Sequence, residues 1–386
     1  ISASLVGSEM CIRDSSLIVD RQINAGGIMI GKTNTAELGV GAHTANRLFG
    51  ITPNIYGDTK SSGGSSGGAS VAVAAELLPF ADGTDMMGSC RTPAAFANVY
   101  GFRPTPGLIP DYRSDNKKKD LPIISTPGCL ARTPDDMSIL LDEIVGKHES
   151  DPVSFDLHGS FKETKIKDQD VLNIKIGWLS DMNGAYHYED EILDICNKKL
   201  VSLEKNKIKV ENLKPKIDVL KLWDCWTTIR AKSIYEDIID MNISDINEMT
   251  PQAIWEYNKG IQVKAEDIQL ALNSRIELSR DLDKIFNNYD FLALPSQQTF
   301  PFDKNLRYPN KINNLEMDTY HRWIEIHILA SLFYLPSISI PIGFNKKGFP
   351  IGIQIIAKQS EDLKLFAFAK KYEEIYQYNK NKPFLN

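Results

Sequence analysis

Apolar and polar positions fall into a regular pattern from Ser16 onward. SLIVDRQINAGG reads as an amphipathic helix closed by glycine. GIMIG, next, is a short apolar run of strand type, and Thr35 to Leu38 begin a helical turn. NIYGDTKSSGGSSGG is a polar loop. ASVAVAAELL then reads as a helix of small residues, LPFA as a buried strand and TPAAFANVY as a further helix. Alternation of this kind argues for an α/β fold with a parallel or mixed sheet.

Residues from about 150 to about 290 read differently. Lys, Glu, Asp and Asn dominate, and apolar residues such as Val219, Leu222, Trp223 and Trp226 recur at helical spacing, so this region is expected to be mostly helical. Strand-type runs return at FLALP (291–295), SISIP (337–341) and GIQIIA (352–357). A last helix is expected from about Ser360, with that serine as N-cap and Glu361 and Asp362 in the first turn. Strands at both ends with helices between them point to one sheet whose members lie far apart in sequence. No internal repeat is present.

A chain of 386 residues, 42 % apolar and 24 % charged, has the composition of a globular protein with a large core. The net charge of −6 argues against a nucleic-acid surface, and the run Lys117, Lys118, Lys119, bracketed by Asp115 and Asp120, reads as a solvated loop. No apolar stretch reaches the length of a membrane span. The cysteines (Cys11, Cys90, Cys129, Cys196, Cys225) are odd in number, scattered and without a CxxC pair, which argues against a disulfide framework and fits a cytoplasmic location. The histidines lack metal-ligand spacing, so no metal site is expected.

Three short motifs compete. GGIMIGKT (26–33) satisfies the phosphate-loop expression, but a helix precedes it and GIMI prefers burial to a flexible loop, so a helix-to-strand turn is the better reading. GSSGG (64–68) satisfies GxSxG, yet polar YGDTKSS precedes it where a nucleophile elbow needs a strand. The third reading joins GGSSGGAS (63–70) to GTDMMGSCRTPAAF (83–96). Ser89 ends a glycine-containing turn at the start of a helix, where the backbone N–H groups of Met86, Met87, Gly88 and Ser89 can converge as an oxyanion hole. No histidine lies nearby in sequence, but a second serine held by a neutral lysine can relay the proton.

These paired segments resemble the amidase signature family, which hydrolyses amide C–N bonds with a Ser–cis-Ser–Lys triad. GKTNTAELG (31–39), YGFRPTPGLIP (100–110), STPGCLART (125–133), YDFLALPS (289–296) and PSISIPIGFNKKGFPIGIQIIA (336–357) resemble further family segments. The resemblance implies an α/β fold with a central mixed sheet covered by helices on both sides. It implies Ser89 as nucleophile, Ser65 as bridging serine, a cis peptide between Gly64 and Ser65, and oxyanion donors at Met86, Met87, Gly88 and Ser89. Met87, where many members have glycine, is expected to narrow the space by the nucleophile. Cys90 reads as a buried structural thiol. Trp223, Trp226 and Trp255 are candidates for an acyl pocket, with core packing the stronger reading for at least two of them.

The family's catalytic lysine lies upstream of GKTN in a V-K-D context. Residues 1–31 contain no lysine, and Lys32 is the lysine of GKTN itself. SLVGSEMCIRDS (4–15) has no helix or strand period and resembles a translated sequencing-adapter artefact. Residues 1–15 are therefore set aside as foreign, and a signal peptide is disfavoured because basic and apolar regions of the required kind are missing. The remainder, 16–386, reads as a single amidase domain lacking its first N-terminal elements: a signature core (16–150), a helical variable region (151–290) and C-terminal strands with a helix (291–386).

The expected activity is that of an amidohydrolase acting on a small-molecule amide through a Ser89 acyl-enzyme, with the chain as written inactive for want of its lysine. The alternatives are a glutamine-hydrolysing component of a tRNA-dependent amidotransferase and a catalytically dead amide-binding relative. No direct nucleic-acid or membrane contact is expected, and a homodimer is compatible with the resemblance.

Overall fold

The computed structural model describes residues 16–111, 121–167 and 173–383. Residues 1–15 and the lysine run 117–119 lie outside these. An eight-stranded mixed sheet is its frame. In chain order its strands are β1 (Phe80–Asp85), β2 (Tyr100–Arg103), β3 (Thr126–Ala131), β4 (Lys175–Trp178), β5 (Lys209–Asn212), β6 (Phe291–Pro295), β7 (Ser337–Phe344) and β8 (Pro350–Ile356). They lie side by side as β1-β3-β2-β7-β8-β6-β4-β5. From β1 across to β6 every neighbouring pair is antiparallel, whereas β6–β4 and β4–β5 are parallel. β3, β6 and β8 are buried along their whole length, which is why their sequences carry almost no polar residue.

Helices flank the sheet. They are α1 (Leu17–Asn24), α2 (Gly67–Ala74), α3 (Arg91–Ala97), α4 (Pro134–Ile144), α5 (Ile192–Lys205), α6 (Val219–Asp240), α7 (Pro251–Gly260), α8 (Ala265–Phe286), α9 (Ile328–Leu332) and α10 (Asp362–Tyr376). Local chemistry starts several of them. The Thr133 hydroxyl accepts the Asp136 N–H at 3.0 Å, with Pro134 at the first helical position of α4. Asp218 caps α6 through the Lys221 N–H at 3.0 Å. Phe102 of β2, Phe161 and Phe366 of α10 meet edge to face in the main core. Among the described residues no helix is long and apolar enough to cross a membrane.

Several expectations are corrected. GIMIG forms no strand: Ile28 is 89 % and Ile30 70 % exposed, and no described strand pairs with it. An apolar run becomes a strand only where a neighbour satisfies its backbone. Part of the expected polar loop 54–68 is a short strand, Gly57–Ser61, paired with Pro53–Asn54. The region 151–290 is largely helical but also supplies β4 and β5 to the sheet edge. The last helix starts at Asp362, not at Ser360, which has φ +65° and does not cap it. Asp362 turns instead to Thr105, accepting its N–H at 2.8 Å and its hydroxyl at 2.6 Å. The helical turn expected at Thr35–Leu38 is a single 3-10 turn, Glu37–Gly39.

Candidate active site

Two loops meet at the N-terminal ends of α2 and α3. The first follows the strand Gly57–Ser61 and carries Ser65, where the Gly64–Ser65 peptide bond is cis, as the family resemblance implied. Backbone and hydroxyl groups clamp this loop. The Ser65 carbonyl accepts from the hydroxyls of Thr35 (3.0 Å) and Thr44 (3.1 Å) and from the Ala36 N–H (3.3 Å). The glycines beyond it permit close approach: a Cβ on Gly67 would lie 2.3 Å from Thr44 Oγ1. The buried Ser65 hydroxyl has no hydrogen-bond partner among the described residues.

The second loop joins β1 to α3 and carries Ser89. Asp85, the last residue of β1, shapes it. Its carboxylate accepts the N–H groups of Gly88 (2.9 Å) and Cys90 (3.1 Å) and takes the Arg91 guanidinium on both oxygens, at 3.0 and 2.8 Å. Arg103 lies 3.6 Å away and also donates to the Asp85 carbonyl. Burial alone would raise the Asp85 carboxyl, but Arg91 and Arg103 hold it well below the ordinary carboxylate range. Arg91 goes on to Gln354 Oε1 at 2.7 Å and Ser331 Oγ at 3.2 Å, tying the loop to β8 and α9.

The two loops are joined directly: the Ser66 N–H donates to the Ser89 carbonyl at 3.2 Å. Ser89 is nearly buried and its hydroxyl, like that of Ser65, has no protein partner among the described residues. One expected oxyanion donor is withdrawn. The Gly88 N–H is directed to Asp85 Oδ1, because the tight turn at Gly88 (φ +86°) points it inward. The N–H groups of Met86, Met87 and Ser89 have no acceptor among the described residues. The Met87 side chain is buried in the main core. Met86 lines a small cavity, of about 70 Å³, with Leu38, Gly39, Val40, Ile234, Asp237, Ile238 and Met241. A Cβ on Gly39 would lie 4.0 Å from Ser65 Oγ, so this cavity adjoins the serine loops.

Sequence reasoning missed the residues that support this arrangement. His327 packs on Gly88 and holds Thr92 Oγ1 at 2.8 Å through Nε2. Burial pushes its pKa down to about 3, so the ring is neutral. Arg230 of α6 is buried and places Nη1 2.8 Å from Met86 Sδ, with Nε on Glu256 Oε1 at 2.8 Å and Nη2 on Tyr320 OH at 2.9 Å. Asp85 and Arg91 do lie within GTDMMGSCRTPAAF, and an acid and an arginine flanking a turn are a usable signal for a buried pair. Arg230 and His327 carry no local signal. Cys90 is buried, and desolvation raises its thiol far above the ordinary value, which agrees with a structural thiol. Trp226 is fully buried, Trp223 stacks between His321 and Arg322, and Trp255 packs edge-on to Tyr320; none lines the cavity beside Met86.

The amidase family profile matches residues 4–366. This chain belongs to the amidase family. The match begins within the stretch 1–15 that was set aside on sequence grounds. Among individual amidases, the chain is similar to an acylamidase of Rhodococcus erythropolis, 28 % identical over 96 % of this chain and 76 % of that one. It is also similar to the A component of the glutamyl-tRNA(Gln) amidotransferase of Natranaerobius thermophilus, 28 % identical over 96 % and 77 % of the two chains. In three dimensions it resembles a bacterial aryl acylamidase of the amidase signature enzymes, with a TM-score of 0.85 and 25 % identity over 95 % of this chain and 77 % of that one. The sheet and its helices are thus the amidase fold, and the chain is a hydrolase of carbon–nitrogen bonds other than peptide bonds.

Proposed function

We propose that this amidase cleaves a small carboxamide through an acyl-enzyme on Ser89. The observation that carries this reading is the Ser66–Ser89 backbone bond, which brings the loop of Ser65 against the loop of Ser89. Ser89 Oγ attacks the amide carbon and its proton passes to Ser65 Oγ, which releases its own proton to an acceptor beyond. The tetrahedral oxygen gathers negative charge and is met by the free N–H groups of Met86, Met87 and Ser89 at the N-terminal end of α3. Collapse breaks the C–N bond, the departing nitrogen takes a proton, and water hydrolyses the acyl-serine. No step needs a cofactor or metal.

The acceptor beyond Ser65 is the lysine of the family triad, and no lysine hydrogen-bonds Ser65 Oγ among the described residues. The cavity beside Met86 is apolar apart from Asp237, which suits an acyl group without negative charge. Release of p-nitroaniline from p-nitroacetanilide tests this reading. Turnover that is abolished in Ser89→Ala and lowered in Ser65→Ala is expected. Turnover unchanged in Ser89→Ala would overturn it. Ammonia release from glutamine in preference to acetanilide cleavage would instead support the amidotransferase reading.

A further inference from the structure

On the other side of the Glu37–Gly39 turn lies a second, larger cavity of about 310 Å³. Val40 lines both cavities, so the turn is the wall between them. The chemistry of the second is different. Arg47, Lys304 and Arg307 face it, and Glu37 is the one carboxylate among its lining residues. None of the three cations forms an ion pair among the described residues. Such a concentration of positive charge on a chain of net charge −6 is a local field for an anion.

The inner end of the cavity carries the second observation. Glu37 is 1 % exposed. Its Oε1 accepts the Thr250 N–H at 2.6 Å, but its Oε2 is buried with no partner among the described residues. Thr250 also lines the cavity, and its buried Oγ1 has no partner either. Buried polar atoms are nearly always satisfied, and an unpaired carboxylate oxygen is costly. Two such atoms on adjoining residues mark a place for a ligand bearing N–H donors. His43, the remaining ionisable group of the wall, is turned to Ser61 Oγ at 2.7 Å and is occupied.

We propose that this cavity binds a small amino-acid-type zwitterion. Its carboxylate sits among Arg47, Lys304 and Arg307, and its ammonium group donates to Glu37 Oε2 and Thr250 Oγ1. A purely anionic ligand would satisfy the rim and leave Glu37 Oε2 unpaired, and an amine alone would leave the rim unbalanced. The cavity is large enough for such a molecule, and neither Ser65 nor Ser89 lines it, so the site does not depend on the hydrolytic reading.

Isothermal titration of the full chain with L-aspartate and with succinate, its analogue lacking the amino group, tests the proposal. L-aspartate is expected to bind at least about tenfold more tightly than succinate, a difference in keeping with one charge-assisted hydrogen-bonded contact. Glu37→Gln should weaken L-aspartate about tenfold while leaving or improving succinate binding, because only the former loses a charged partner. Arg47→Ala with Arg307→Ala, on the exposed rim where folding is not at stake, should weaken both. Ser89→Ala should alter neither. Absence of L-aspartate binding to the folded chain, or equal binding of the two probes, overturns the proposal. Binding of L-aspartate that survives the rim substitutions does so too.

Discussion

The backbone N–H of Ser66 donates to the carbonyl of Ser89 across 3.2 Å, so the two serine loops are held together without either serine's hydroxyl. Removing a hydroxyl that bonds to no described residue should therefore leave the architecture intact. Ser65→Ala and Ser89→Ala are each expected to change unfolding free energy by less than about 1 kcal/mol, since no cap, buried bond or packed volume of consequence is lost. Urea denaturation checks this. A larger loss in either variant would mean that its hydroxyl is structural, and the activity tests would need another design.

Asp85 is the opposite case. Its carboxylate binds two backbone N–H groups and Arg91, all fully buried, with Arg103 close by. Asp85→Asn keeps the shape but removes the negative charge between two buried guanidinium groups. Breaking one partner of a buried ion pair costs about 3–5 kcal/mol. The expected result is a large fall in denaturant midpoint together with loss of any Ser89-dependent activity. A midpoint close to wild type would show that the arginines are balanced elsewhere.

Gly88 combines a positive φ with a crowded side. At φ +86°, a Cβ there would lie 2.3 Å from His327 Cδ2. Gly88→Ala should cost about 1–2 kcal/mol for the left-handed backbone and a further 1–3 kcal/mol for overpacking. His327→Ala opens space but cannot change the dihedral preference. The double variant Gly88→Ala, His327→Ala should thus recover the steric share alone, which a double-mutant cycle on unfolding free energy resolves. Additive costs would show that the two residues do not clash.

What the chain revealed of itself follows from how local each signal is. GGSSGG and GTDMMGSC were legible through their resemblance to family segments, and the structure shows why glycine stands there: a close approach at Gly67 and a tight turn at Gly88. The C-terminal strands were legible because burial on both faces leaves continuous apolar runs. KIGW was missed as a strand because its parallel partner, Phe291–Pro295, lies on the far side of a long helical region. GIMIG misled for the complementary reason: its pattern suits a sheet, but pairing depends on a neighbour that its own sequence does not encode. Four oxyanion donors were expected from the turn, and one went to Asp85, an outcome set by a side chain and not by backbone spacing.

Acid stability should reveal a contest between buried histidines and buried carboxyls. Burial lowers His43 to about 4 and His327 to about 3, and holds His321 well below its ordinary value, with Arg230 and Arg322 adding to that shift. Unfolded histidines take up protons near pH 6.5, so as pH falls from there the unfolded state binds more protons and stability drops. Two carboxyls oppose this. Burial outweighs Arg322 to raise Glu325 to about 7, and outweighs the Thr105 bonds to raise Asp362 to about 6. Each is protonated in the fold before it is protonated in the unfolded chain, so its contribution improves as pH falls through that window. Each proton of difference changes the slope by about 1.4 kcal/mol per pH unit. Glu325→Gln with Asp362→Asn removes the opposition. Relative to wild type, the double variant should gain stability at about pH 7, where the charged carboxyls cost most, and lose it more steeply down to about pH 5. Urea unfolding across that range reads the difference directly, and parallel stability curves for the two proteins would refute it.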